Sequence, residues 1–159
     1  MVLGLSVHAF TLLHTAISLV AIGAGLLFFI ALSRGRWLGT TNAVFLVFTI
    51  LTSVTGFLFP PKPIGPPHIF GAVSLVLLAV ALYALYSAKL GGPWRRVYLA
   101  TALIAQWLNM VVLVVQSYQK IPALHALAPT GAEPAVLVSQ AVVLVAVAAA
   151  AWMTLRRPA

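Results

Sequence analysis

The sequence predicts an all-α integral membrane bundle of five transmembrane helices, with its N-terminus outside and its C-terminus in the cytoplasm. Three observations carry this expectation. Of 159 residues, 63% are hydrophobic and only 6% charged, whereas soluble domains are roughly half apolar and a quarter charged. The chain divides into five apolar runs, each near the ~20 residues a helix needs to cross about 30 Å of hydrocarbon. Its basic residues gather in alternate loops, the pattern that sets membrane orientation.

The first run, residues 6–33, has no Lys/Arg-rich lead and no small-residue cleavage site, so it reads as a retained helix rather than a secretory signal. SRGRW at 33–37 separates it from the second run, 39–59, and PPKPIGPP at 60–67 precedes the third, 68–88. KLGGPWRR at 89–96 leads into the fourth, 95–118, and a longer loop from Gln119 to Glu133 leads to the fifth, 134–155. Proline and glycine in these loops end one helix and start the next. The five runs make one domain spanning 1–159, and no internal repeat stands out.

Within the spans, small residues mark faces suited to close helix contact. Ser18, Ala21 and Gly25 share a stripe with His14, and Asn42, Thr49, Thr52 and Gly56 form a second one. Arg34, Arg36, Lys89, Arg95, Arg96, Arg156 and Arg157 fall on one side of the membrane, against Lys62 and Lys120 on the other. The +8 net charge is therefore topology rather than a nucleic-acid surface. Trp37, Trp94 and Trp152 lie near the cytoplasmic ends, where an indole keeps its N–H wet.

The chain has no cysteine, which excludes disulfides, thiolate metal sites and cysteine-held clusters. The remaining reactive groups collect toward the outer face. His14 falls near the outer boundary with His8 beyond it, His68 opens the third helix, and His125 and Glu133 lie in the outer loop. Gln106, Asn109, Gln116 and, if the fourth helix runs on, Lys120 occupy an arc of about 80°. Gln140 lies seven residues below Glu133. Polar groups at such depth face a bundle interior or a wet cavity.

Two readings of these residues follow. As ligands, His14, His68, His125 and Glu133 suit a transition metal (Zn, Cu or Fe) or haem b, with Asn109, Gln116, Lys120 and Gln140 lining the pocket. As structural groups, the histidines sit at the interface, Glu133 favours a helix N-terminus, Lys120 anchors the outer boundary, and the amides join helices. No HxH, HxxxH or HExxH spacing occurs, and His8 and His14 diverge by about 120° around their helix.

The stretch LNMVVLVVQSYQKIPALHALAPTGAEP from Leu108 to Pro134, with TSVTGFLFP at 52–60 and HTAISLVAI from His14, resembles a family of uncharacterised bacterial inner-membrane proteins. The pattern falls on Asn109, Gln116, Lys120, Pro122, His125, Pro129, Thr130, Glu133 and Pro134. The resemblance implies a multi-pass protein of the bacterial cytoplasmic membrane and supports the location of a site, without supplying a reaction. The chain also loosely resembles b-type cytochromes of the cytochrome b561 kind, which use histidines on neighbouring apolar helices. Those proteins place paired histidines on both sides of the membrane; the inner half here has none, so at most one outer haem is expected.

The leading expectation is thus a small inner-membrane protein, in contact with the lipid bilayer, with a periplasm-facing metal or haem site and a redox or metal-handling role. The alternatives are a non-catalytic subunit or assembly factor of a larger membrane complex, and a small transporter or channel that would need to be a homo-oligomer.

Overall fold

The computed structural model describes residues 1–60 and 65–156. Lys62 and Arg157, both used in the charge comparison, lie outside the described residues. The described residues form helices α1 (Val7–Ser33), α2 (Gly39–Phe57), α3 (Pro66–Leu82), α4 (Trp94–Lys120), α5 (Pro122–His125) and α6 (Pro134–Leu155). A π-helical turn, Tyr83–Ser87, extends α3. Five of these elements are long and apolar enough to cross a membrane.

Local chemistry sets the boundaries. Ser6 caps α1, its hydroxyl accepting from the Ala9 N–H at 3.1 Å. At the other end the Arg34, Gly35 and Arg36 N–H groups return to the carbonyls of Ala31 and Leu32, a closure that needs the left-handed conformation found at Gly35, φ 82°. Helix α3 begins at Pro66, two residues before the expected start at 68, because proline needs no N–H bond in a first turn. Helix α4 runs on through Lys120, which keeps that lysine on the polar stripe of Gln106, Asn109 and Gln116. Helix α2 stops at Phe57 rather than 59. The short helix α5 inside the long loop was not expected from hydropathy.

Helices α1, α2, α3 and α4 pack as successive neighbours, and α4 returns to touch α1, closing a four-helix bundle. Helix α6 lies outside it, against α4 and α1. The tightest packing lies at the end that carries the arginine loops. There Phe28, Phe29, Phe45, Leu46, Leu78, Tyr98 and Leu99 form one buried cluster. At the opposite end the packing is looser, and residues 111–118 of α4 are all only half-buried. Outward-facing Leu137, Val138, Val142 and Val145 on α6 suit contact with lipid, where apolar exposure carries no hydrophobic cost.

Helices α2 and α4 both start at the arginine end and occupy opposite corners of the bundle. Polar side chains cross the interior between them. The Tyr98 hydroxyl donates to Asn42 Oδ1, and Asn109 Nδ2 donates to Thr49 Oγ1 at 3.3 Å. Gln106 Nε2 reaches the Ile22 carbonyl of α1 at 3.2 Å. Interhelical hydrogen bonds of this kind fix rotation and register where helix–lipid and helix–helix contacts are equally apolar. The small-residue stripes meet here as well, with Gly25 under Gln106 and Phe45, and Gly56 beside the His14 ring.

Candidate functional site

The site is built outward from Thr55, two residues before the end of α2. Its hydroxyl donates to the Leu51 carbonyl at 2.6 Å, so its oxygen is left to accept. His14 Nδ1 lies 2.7 Å from that oxygen. A hydroxyl with its one hydrogen already committed makes the ring nitrogen the donor. The neutral His14 ring therefore carries its proton on Nδ1 and presents a lone pair at Nε2, which has no hydrogen-bond partner among the described residues. Phe59 holds the ring edge-to-face at 5.2 Å between centroids, and Phe10 backs Phe59 at 4.9 Å. The imidazole is thus oriented by Thr55 and by Phe59, and its Nε2 has no hydrogen-bond partner among the described residues.

Lys120, at the last residue of α4, is close enough for its charge to act on the His14 ring. It is exposed and has no ion-pair partner among the described residues. Gln116, one turn deeper, makes no hydrogen bond among them, and below it Asn109 is tied to Thr49. Among the described residues, Thr52 Oγ1, Gln106 Oε1, Trp107 Nε1, Glu133 Oε2 and Gln140 Oε1 are buried without a hydrogen-bond partner. Buried polar atoms of this kind are where ordered water or a ligand enters a structure.

The other expected site residues have local duties. His68 caps α3, its Nδ1 accepting from the Gly65 N–H at 3.3 Å, with Phe57 6.0 Å away. His125 ends α5 with its side chain exposed. Gln140 donates from Nε2 to the Val111 carbonyl at 3.1 Å, joining α6 to α4. Glu133 Oε1 accepts from the Thr130 N–H at 2.9 Å and its hydroxyl at 2.8 Å. Among the described residues no three histidine or acidic side chains come together as a metal site. Of the expected site residues, the structure sets Lys120 within electrostatic reach of His14; His68 and Glu133 are held in local contacts, and His125 is exposed.

The Glu133 contacts make a loop lock that depends on charge. The Thr130 N–H, opposed by partial desolvation and aided by the Thr130 hydroxyl, holds the Glu133 carboxyl below the usual carboxylate range. A carboxylate with a lowered folded pKa stabilises the fold fully above its unfolded value, about 4.3, and that contribution disappears as pH falls through the lower folded value. Protection of the Thr130 amide, taken relative to its intrinsic exchange rate at each pH, is expected to be high at neutral pH and to be lost only below the ordinary carboxylate range. In Glu133→Gln that protection should be lower and should not change across the carboxylate range. Equal protection in the two proteins would rule the lock out.

Sequence reasoning did not single out Thr55, Tyr98 or Trp107. Trp107 lies in mid-helix with its Nε1 buried and unpartnered. Thr55 carried a weak signal, lying one turn from Thr52 and Leu51 on the helix that holds the polar stripe, but its pairing with His14 spans 41 positions.

No family model, curated protein or solved structure matches the chain.

Proposed function

We propose that the chain is a multi-pass protein of the bacterial cytoplasmic membrane that binds haem at its periplasmic end through His14. The periplasmic N-terminus and cytoplasmic C-terminus are supported by Arg34, Arg36, Lys89, Arg95, Arg96 and Arg156 gathering at one end of the bundle, while Lys120 stands at the other. The chain has no cysteine, so a single His125→Cys is a clean reporter. A membrane-impermeant maleimide added to intact spheroplasts should label it; labelling only after lysis would reverse the orientation.

The observation that carries the ligand reading is the His14–Thr55 hydrogen bond. A histidine that ligates iron or another metal uses one nitrogen and is oriented through the other, and Thr55 supplies that orientation while Nε2 stays free. Haem fits better than a free divalent ion for two reasons. Haem would require a single imidazole from the protein, and His14 would supply it. Lys120 would repel an added cation but would pair with the anionic propionates of haem. The expected result is a Soret band and about one iron per chain in protein purified in mild detergent, with both lost in His14→Ala and retained in His125→Ala.

A second reading, as a non-catalytic subunit or assembly factor, is favoured by α6. Among the described residues its main contacts are with α4 and α1, and its alanine-rich second half admits a partner helix closely. A colourless, iron-free protein that copurifies with another membrane chain would favour that reading. A conduit role is disfavoured by the arginine end of the interior, which is filled by Phe28, Phe45, Leu46 and Tyr98.

A further inference from the structure

At the arginine end, an open groove of about 590 Å³ lies between the start of α4 and the end of α6. Its walls are apolar and small, formed by Ala100, Ala148, Ala151 and Leu155, while Arg96 and Arg156 stand at its rim. Both arginines are exposed. The Arg156 guanidinium carbon sits 3.2 Å over the centroid of the Trp152 ring. Stacking of this kind holds the guanidinium plane in place while its N–H edge stays available for a bidentate contact with phosphate.

Among the described residues neither arginine has a carboxylate side chain beside it. The chain has one acidic side chain, Glu133, and it precedes α6 at the opposite end of the bundle, bound to Thr130. No carboxylate side chain can therefore neutralise Arg96 or Arg156. An external anion that carries hydrocarbon matches the rim charges and the apolar walls together.

We infer that this groove is a binding site for one anionic phospholipid, its phosphate held between Arg96 and Arg156 and its upper acyl chain lying along Ala100, Ala148 and Ala151. Free phosphate shares the headgroup chemistry but has nothing to occupy the alanine wall. A zwitterionic lipid shares the acyl chain but offers a compensated headgroup. Basic clefts between helices at the membrane surface recognise acidic lipids by this combination.

The test is native mass spectrometry of the full chain, delipidated and titrated with phosphatidylglycerol, with phosphatidylcholine, or with inorganic phosphate. The expected result is one phosphatidylglycerol retained per chain, in preference to phosphatidylcholine. Each basic side chain near a headgroup contributes roughly fivefold, so Arg96→Gln with Arg156→Gln should weaken retention about thirtyfold. Ala148→Phe, at an exposed position that leaves both charges intact, should fill the groove and weaken retention as well. Equal retention of the two lipids, or no change in the double arginine variant, would overturn the site. Displacement by millimolar phosphate with Ala148→Phe unchanged would overturn it too, by showing an ion site that uses no acyl wall.

Discussion

Gly25→Val is expected to destabilise the bundle by about 3 kcal/mol, at the upper end of what overpacking usually costs. A Cβ at Gly25 would overlap Gln106 Oε1, come within 2.7 Å of Gln106 Cδ and reach 2.9 Å from Phe45 Cδ2. Neither neighbour can yield cheaply. Phe45 is fully buried and Gln106 is 2% exposed, and the Gln106 amide is anchored to the Ile22 carbonyl less than one turn before Gly25. The clash therefore pushes α1 away from both α2 and α4. Thermal unfolding in detergent checks the magnitude. The cause is isolated by a double-mutant cycle, in which Gln106→Ala should recover much of what the smaller Gly25→Ala loses. Additive losses would place the defect elsewhere.

Tyr98 should separate packing from hydrogen bonding at a single position. Its ring is completely buried and lies 5.8 Å from the Trp37 ring, while its hydroxyl donates to Asn42 across the bundle. Tyr98→Phe keeps the ring and strands the Asn42 oxygen, a loss of about 1 kcal/mol by the behaviour of interhelical hydrogen bonds in membranes. Tyr98→Ala also removes the dispersion contacts of a whole ring. In a soluble core that costs about 3–5 kcal/mol. Because the surrounding lipid is itself apolar, the transfer part of that cost shrinks, and about 3 kcal/mol is expected. Equal losses in the two variants would mean that the ring contributes nothing beyond its hydroxyl.

Much of the fold was legible because a membrane helix must satisfy every backbone group within one apolar run, so composition along the chain determines the spans. Lys120 illustrates the gain from arithmetic alone. Its place on the stripe with Gln106, Asn109 and Gln116 needed only the helical repeat and a helix that continued past 118. The π-turn at Tyr83–Ser87 was not legible, since its residues read like the helix before it and differ only in which carbonyl accepts. Helix α5 was hidden for a different reason, being a single turn started by Pro122, too short to carry a periodic or hydropathy signal of its own.

That the histidines and Glu133 gather at one end of the bundle was legible in the sequence; which of them meet was not. His68 and Glu133 share residue type with metal ligands, but the structure gives each a contact within three positions, at Gly65 and Thr130. Such local contacts compete with any long-range role. The partner that orients His14 is a threonine 41 positions away. Its choice over Thr52 depends on the rotation of α2 against α1, which spacing on one helix does not fix.

The most direct test of the His14 site is a titration of the detergent-solubilised full chain with hemin, followed at the Soret band. Saturation near one hemin per chain is expected, with loss of the shifted band in His14→Ala, weaker binding in Lys120→Gln, and little change in His68→Ala or His125→Ala. A titration that is identical in the native chain and in His14→Ala would contradict the assignment of His14 as the ligand-binding group.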